Sequence, residues 1–279
     1  MKLWIHANGC ITYSRIPYFY HPPLKNNKMT KSFSRNPIPA VLAVLAFTIG
    51  ACHSTPDGSK DAAGNDGFVA IFDGKTFSGW KGDTSYWRID SGTIVGEEKP
   101  DRPLKTNSFL IWQGGQPADF EFKAEYRISP EGNSGINYRS EELPDIPYAL
   151  KGYQADIDGA NQYTGQNYEE RGRGFLAMRG QRAELPTHGP PVIKDTLGNS
   201  DSLKAHIKSN DWNEVYIVVK GNKMTHFING VLMSEAIDDD TVNRKFKGLL
   251  GLQMHVMPSM KVEYRNIRLK QLPSISSYN

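Results

Sequence analysis

Cysteine is nearly absent from this chain: there are two in 279 residues, Cys10 and Cys52. Both precede the region with regular strand patterning, so that region has no disulfide, no thiol nucleophile and no Cys-based metal site. Acidic residues are missing from the first 51 positions, which carry Lys2, Arg15, Lys25, Lys28, Lys31 and Arg35. Setting those six aside from the 33 basic residues leaves 27 against 30 acidic ones. The formal net charge of +3 therefore belongs to the leader, and no nucleic-acid partner is expected. Catalytic signatures are missing too. No Gly-x-Ser-x-Gly elbow and no His-Glu-x-x-His occurs, and the later histidines are scattered at 188, 206, 226 and 255. The Glu-x-Asp-x-x-Glu strand expected of a two-carboxylate jelly-roll glucanase is replaced by Gln154-Ala155-Asp156-Ile157-Asp158.

No apolar run is long enough to span a bilayer comfortably; the longest is Ala40 to Ile49. With Lys31 and Arg35 before it and Gly50-Ala51 after it, the run has the parts of a secretory signal peptide over residues 29–51. Ile49-Gly50-Ala51-Cys52 resembles the bacterial lipoprotein cleavage box, which makes Cys52 the expected lipidation site. Residues 1–28 lack periodicity and read as a misassigned N-terminal extension, with Met29 as the start. Residues 52–66 are small, polar and aperiodic, the composition of a flexible tether. The expected location is thus the bacterial cell envelope, held to the membrane by lipid without spanning it.

What is present is strand periodicity, over a single expected domain at 67–272. Phe120, Phe122, Ala124, Tyr126 and Ile128 alternate with charged residues, one face buried and one wet. Asn229-Gly230 between two apolar runs predicts a type I′ hairpin. Another hairpin is expected at Trp87–Val95, turning at Asp90-Ser91-Gly92, and the phase slip between Tyr264 and Ile267 predicts a bulge near Arg265-Asn266. The fold class is all-β, an antiparallel β-sandwich. Residues 139–210, rich in proline and glycine, read as long loops over the concave face, and Asp238-Asp239-Asp240 as a solvated turn.

Three runs end in groups that bind a polyol or move a proton: Asn133-Ser134-Gly135-Ile136-Asn137-Tyr138-Arg139, Gly152-Tyr153-Gln154-Ala155-Asp156 and Gly251-Leu252-Gln253-Met254-His255. Together with Phe72-Asp73-Gly74-Lys75-Thr76, Gly79-Trp80, Trp212-Asn213, Asn229-Gly230 and Arg265-Asn266-Ile267, they resemble the 3-keto-disaccharide hydrolase family from Gly67 to Lys270. A further stretch matches at Tyr163, Gly165, Tyr168, Glu170 and Arg173. The resemblance implies a concanavalin-like jelly roll and a carbohydrate substrate. Gln154-Ala155-Asp156 departs from the commoner Glu-x-Gln arrangement of the family and leaves the general base open.

A ketone at C3 of a sugar acidifies the C2 proton, so a base removes it as the C1 substituent leaves, and water then adds back. Such a route needs a base, an acid at the leaving oxygen and donors that hold the enediolate. Asp156, Glu170 and His255 are the acid/base candidates. Arg139 and Arg173 would stabilise charge, and Gln154 and Gln253 would orient hydroxyls, with Asn133, Ser134, Tyr153 and Tyr168 completing the expected substrate contacts. Tyr163 and Trp112 offer further aromatic faces. A divalent cation held by Asp156, Asp158 and a distant group stays open as a cofactor. Plain structural roles compete: His255 as a hydrogen-bonded strand residue, Asp156 as a loop cap, Arg139 as partner of Glu141 or Glu142. The rival functions are a non-catalytic carbohydrate-binding module and a conventional two-carboxylate glycosidase.

Overall fold

The computed structural model describes residues 66–273, which fall within the compact unit Asp61–Asn279. The N-terminal extension, the signal peptide, the Cys52 box and nearly all of the tether lie outside the described residues. In chain order the elements begin β1 (Val69–Ala70), β2 (Trp80–Lys81), β3 (Trp87–Asp90), β4 (Thr93–Glu97), β5 (Ser108–Trp112) and β6 (Phe120–Ile128). Next come β7 (Asn133–Glu142), β8 (Leu150–Asp158), β9 (Asn167–Glu170), β10 (Gly174–Ala177), β11 (Gln181–Leu185) and β12 (Val192–Thr196). A short helix α1 (Ser200–Lys204) precedes β13 (Asn213–Lys220), β14 (Lys223–Ile228), β15 (Val231–Asp238), β16 (Leu249–Met254) and β17 (Lys261–Gln271).

Two sheets face each other. One runs β12-β11-β15-β14-β13-β6-β17-β4-β3 with β1 added on β17; the other runs β10-β9-β8-β7-β16-β5-β2. Their pairings are antiparallel except β11 with β15. The expected sandwich is what the chain forms. β6 shows why: its Phe120, Phe122, Ala124, Tyr126 and Ile128 are buried, while the residues between them stay half-exposed. They join one core with Ile136, Tyr138, Tyr153, Ala155, Ile157, Leu252 and Met254 of the opposite sheet. Each large apolar side chain so buried is worth about 1.5–3 kcal/mol, and this layer sets which face of β7, β8 and β16 is left for chemistry.

The turn chemistry follows the sequence. Asn229 and Gly230 take φ values of 50° and 76°, as a type I′ hairpin requires. Ser91 and Gly92 turn β3 into β4 with φ of 48° and 79°, and the register of β17 against β6 shifts between Arg265 and Arg268, with Asn266 at φ 52°. Two expectations are corrected. Residues 139–210 are not mainly loop; they hold β8 to β12 and α1. These strands escape the period-two pattern because several lie at sheet edges, where burial is not one-sided; β12 is exposed along its whole length. Asp238 and Asp240 are not solvated but 1% and 2% exposed, gripped by the Arg173 guanidinium.

Candidate active site

Alternation along β7 sends Ser134, Ile136 and Tyr138 into the core and leaves Asn133, Gly135 and Asn137 on the opposite face. On β8 the same rule sends Tyr153, Ala155 and Ile157 inward and leaves Gln154 and Asp156 outward. Gln154 stands opposite Tyr168 of β9 and Asn137 of β7, and Asp156 opposite Gly135. Gly135 is the point on which the floor depends. A Cβ there would lie 2.6 Å from the Gln154 side chain. Its absence lets Gln154 of β8 reach across β7 to Gln253 of β16, whose Nε2 donates to Gln154 Oε1 at 3.0 Å.

That amide pair ends on Asp156. Gln154 Nε2 donates to Asp156 Oδ1 at 2.6 Å, and Gln166 Nε2 donates to Oδ2 at 3.2 Å. Burial pushes the Asp156 carboxyl up to about 7; the two amide donors pull it down, and the charges of Asp158 and Glu170 add to the rise. A carboxyl so placed exchanges its proton near neutrality.

The second wall is built around Glu170, at the end of β9. Its Oε1 accepts from Asn107 Nδ2 at 3.0 Å and Arg171 Nη1 at 3.1 Å. Arg171, at φ 55°, is held in turn by the Leu150 carbonyl and the Thr106 hydroxyl. Asn107 also accepts from the Val256 N–H at 3.1 Å, so one amide clasps Glu170 to the chain carrying His255. His255 Nδ1 lies 3.0 Å from the Val256 carbonyl. A carbonyl only accepts, so Nδ1 carries the hydrogen and Nε2 is left as the basic nitrogen.

These groups line one cleft of about 510 Å³: Asn107, Asn133, Gln154, Asp156, Tyr163, Tyr168, Glu170, Arg171, Phe175, Gln253 and His255. The structure thus brings together the three acid/base candidates and four of the expected substrate contacts, Asn133, Gln154, Tyr168 and Gln253.

Four expected contacts lie elsewhere. Ser134 points into the core, bonded to the Gln253 carbonyl and the Tyr264 hydroxyl. Tyr153 is a core ring whose hydroxyl donates to Asp238. Arg139 sits where the β7–β8 register breaks, at φ 45°, which turns it away from the strand face. Its guanidinium is buried against the carbonyls of Ala118, Gly221 and Lys245 and the Asp119 carboxylate. Arg173 is spent on Glu169, Asp238 and Asp240. Of the further aromatic faces, Tyr163 lines the cleft and Trp112 belongs to the core.

Asn107, Arg171 and Phe175 were not singled out by the sequence. Asn107 is distant along the chain, and only the pairing of β5 with β16, Ser108 opposite Met254, carries it to His255. In Glu169-Glu170-Arg171-Gly172-Arg173 the two acids and two bases look equivalent, and the turn sorts one pair to each side. Asp158, considered for a cation, uses both oxygens on the following loop, accepting from the N–H groups of Gln162, Tyr163 and Thr164 and from the Thr164 hydroxyl. Among the described residues, no three or more His, Cys, Asp or Glu gather at metal-holding spacing.

Comparison with known proteins agrees in extent. The model of the 3-keto-alpha-glucoside-1,2-lyase-like domain matches residues 67–270. A 3-keto-disaccharide hydrolase of Bacteroides thetaiotaomicron is 26% identical over 239 residues, covering 74% of this chain and 79% of its own. A crystal structure from Parabacteroides distasonis, described as that of a candidate glycosyl hydrolase, superposes with a TM-score of 0.50 at 19% identity. It covers 74% of this chain and 94% of its own, a likeness of fold.

Proposed function

This chain belongs to the 3-keto-alpha-glucoside-1,2-lyase-like family, and from that membership we propose that it cleaves 3-keto-glycosides, disaccharides among them, by elimination and rehydration. That it acts on carbohydrate as a hydrolase is the common ground of the family and the Bacteroides thetaiotaomicron relative. The observation that carries the finer reading is the convergence of Asp156, Glu170 and His255 in one cleft, with the Asp156 carboxyl raised to about 7.

The chemistry follows from that set. A base takes the C2 proton, and the electrons of that C–H bond form the C1–C2 double bond. The C1–O bond breaks, and its pair leaves on the aglycone oxygen, which an acid protonates. Water then adds at C1, and the proton returns to C2. His255, with Nε2 basic, and Asp156, titrating near neutrality, suit the base and acid roles. The Arg171 guanidinium and the Asn107 amide, both bonded to Glu170 in the cleft, are the donors we assign to the developing negative charge on the C3 oxygen. Gln154, Gln253 and Asn133 offer amides to the sugar hydroxyls. Cell-envelope location, with anchoring through Cys52, is proposed with this activity and rests on the Ile49–Cys52 box.

The test incubates purified residues 53–279 with a 3-keto-glucoside and with its unoxidised parent, each with and without chelator. Aglycone release from the keto sugar alone is expected. Release from the parent as well would move the protein to the ordinary glycosidases. Binding of both sugars without release would make it a binding module, and loss of activity with chelator would add a metal to the mechanism.

A further inference from the structure

The proposed chemistry uses the polar floor of the cleft and leaves its aromatic side idle. Tyr163, Tyr168 and Phe175 line that side. Phe175 lies stacked with Tyr163, centroids 5.9 Å apart and planes at 24°, and meets Tyr168 edge-on at 5.2 Å. Phe175 is 46% exposed and Tyr163 38%, so this pair is not core. Large apolar rings left open to water are costly, and their grouping in a cleft calls for an occupant.

The shelf is also built to keep its shape. Asp158, itself 4% exposed, accepts the backbone N–H groups of Gln162, Tyr163 and Thr164, so the loop that presents Tyr163 is fixed from beneath. Tyr168 and Phe175 are cross-strand partners on β9 and β10. A rigid aromatic surface takes a ligand ring with little ordering entropy to lose. β10 is the outermost strand of its sheet, so the shelf stands at the sheet edge, on the far side of β8 from Gln253 and His255.

We propose that Tyr163, Phe175 and Tyr168 form a leaving-group subsite, which receives a face of the ring attached through C1, the C–H face of a pyranose or the π face of a phenyl aglycone. The assignment rests on the keto-glycoside reading of the adjoining floor. The reacting ring needs acids, bases and amides around its C1, C2 and C3, and these stand on the floor. The shelf offers ring surface, which grips by stacking and carries no titrating acid or base of its own for the C2 proton. It therefore suits the half of the substrate on which no chemistry is done, and its outer position lets that half depart without crossing the floor.

The experiment compares methyl 3-keto-glucoside with 4-nitrophenyl 3-keto-glucoside in wild type, Phe175→Ala, Phe175→Tyr and Tyr163→Phe. Phe175→Ala is expected to raise KM for the nitrophenyl substrate about tenfold more than for the methyl one. Phe175→Tyr and Tyr163→Phe, which keep the rings, should preserve the wild-type preference. Equal changes on both substrates, or none on either, would overturn the subsite. If wild type turns over neither substrate, the keto-glycoside reading falls, and calorimetric binding of the nitrophenyl compound then decides the shelf. Affinity about tenfold weaker in Phe175→Ala would sustain it, and unchanged affinity would overturn it.

Discussion

Asp156 is buried with a carboxyl whose native pKa, about 7, stands above its ordinary 3.8. The folded chain therefore binds more protons than the unfolded one between those values. The stabilising contribution of this group is complete below about pH 4 and is lost as pH rises through 7. Asp156→Asn should abolish turnover while stabilising the fold by about 1–3 kcal/mol at pH 8, with a smaller gain at pH 5; urea titrations at the two pH values check this. Arg139 makes the opposite case. Its side chain is 1% exposed and paired with Asp119 at 3%, so Arg139→Met strands a buried carboxylate and three carbonyls, at a cost of roughly 3–5 kcal/mol. Its KM per folded molecule should stay near the wild-type value, whereas a substrate contact would raise it. The sequence pointed to this arginine for the cleft and passed over Arg171, which lines it. Both adopt positive φ, and what divides them is a register break in one case and a tight turn in the other. Neither is written in the residue type.

At the scale of the element, alternation is the most legible rule and the one most easily overlooked. Adjacent residues of a strand face opposite ways, so Asn133 and Ser134 could not both reach a sugar, nor could Tyr153 and Gln154. The structure gives the cleft Asn133 and Gln154 and the core Ser134 and Tyr153. The hairpin at Asn229-Gly230 and the bulge in β17 were readable because each leaves a local mark. The short strands β9 to β12 leave none, since their pairing is decided by partners far along the chain. Gly135 could be read as a turn glycine, yet it lies within β7 and its function is vacancy. Gly135→Ala should push the Gln154 side chain aside, break its bonds to Gln253 and Asp156, and lower kcat/KM tenfold or more. Stability should fall by only about 1–2 kcal/mol; kinetics beside thermal melting separate the two effects.

For the whole molecule, the sandwich was legible because many short strands with frequent glycine turns and almost no helical periodicity leave few other architectures. The order of strands was not legible, and it governs where the site comes from. The lipid anchor proposed at Cys52 belongs to this scale as well. Cys52→Ser should move the protein from the detergent-soluble membrane fraction to the soluble fraction and end its labelling by an alkynyl fatty acid, with cleft kinetics unchanged. The strand order has one more result. β16 lies between β7 and β5 in one sheet, and β17 lies between β6 and β4 in the other. Both of these interior places are therefore taken by the last two strands of the described residues to be synthesised. Until they emerge from the ribosome, each sheet is a larger and a smaller piece left unjoined, and the floor lacks Gln253 and His255. A partly made chain cannot complete either sheet, and long-range pairing of this kind closes slowly. An unfinished chain therefore carries no finished cleft, and the site is completed only when its last strands pair.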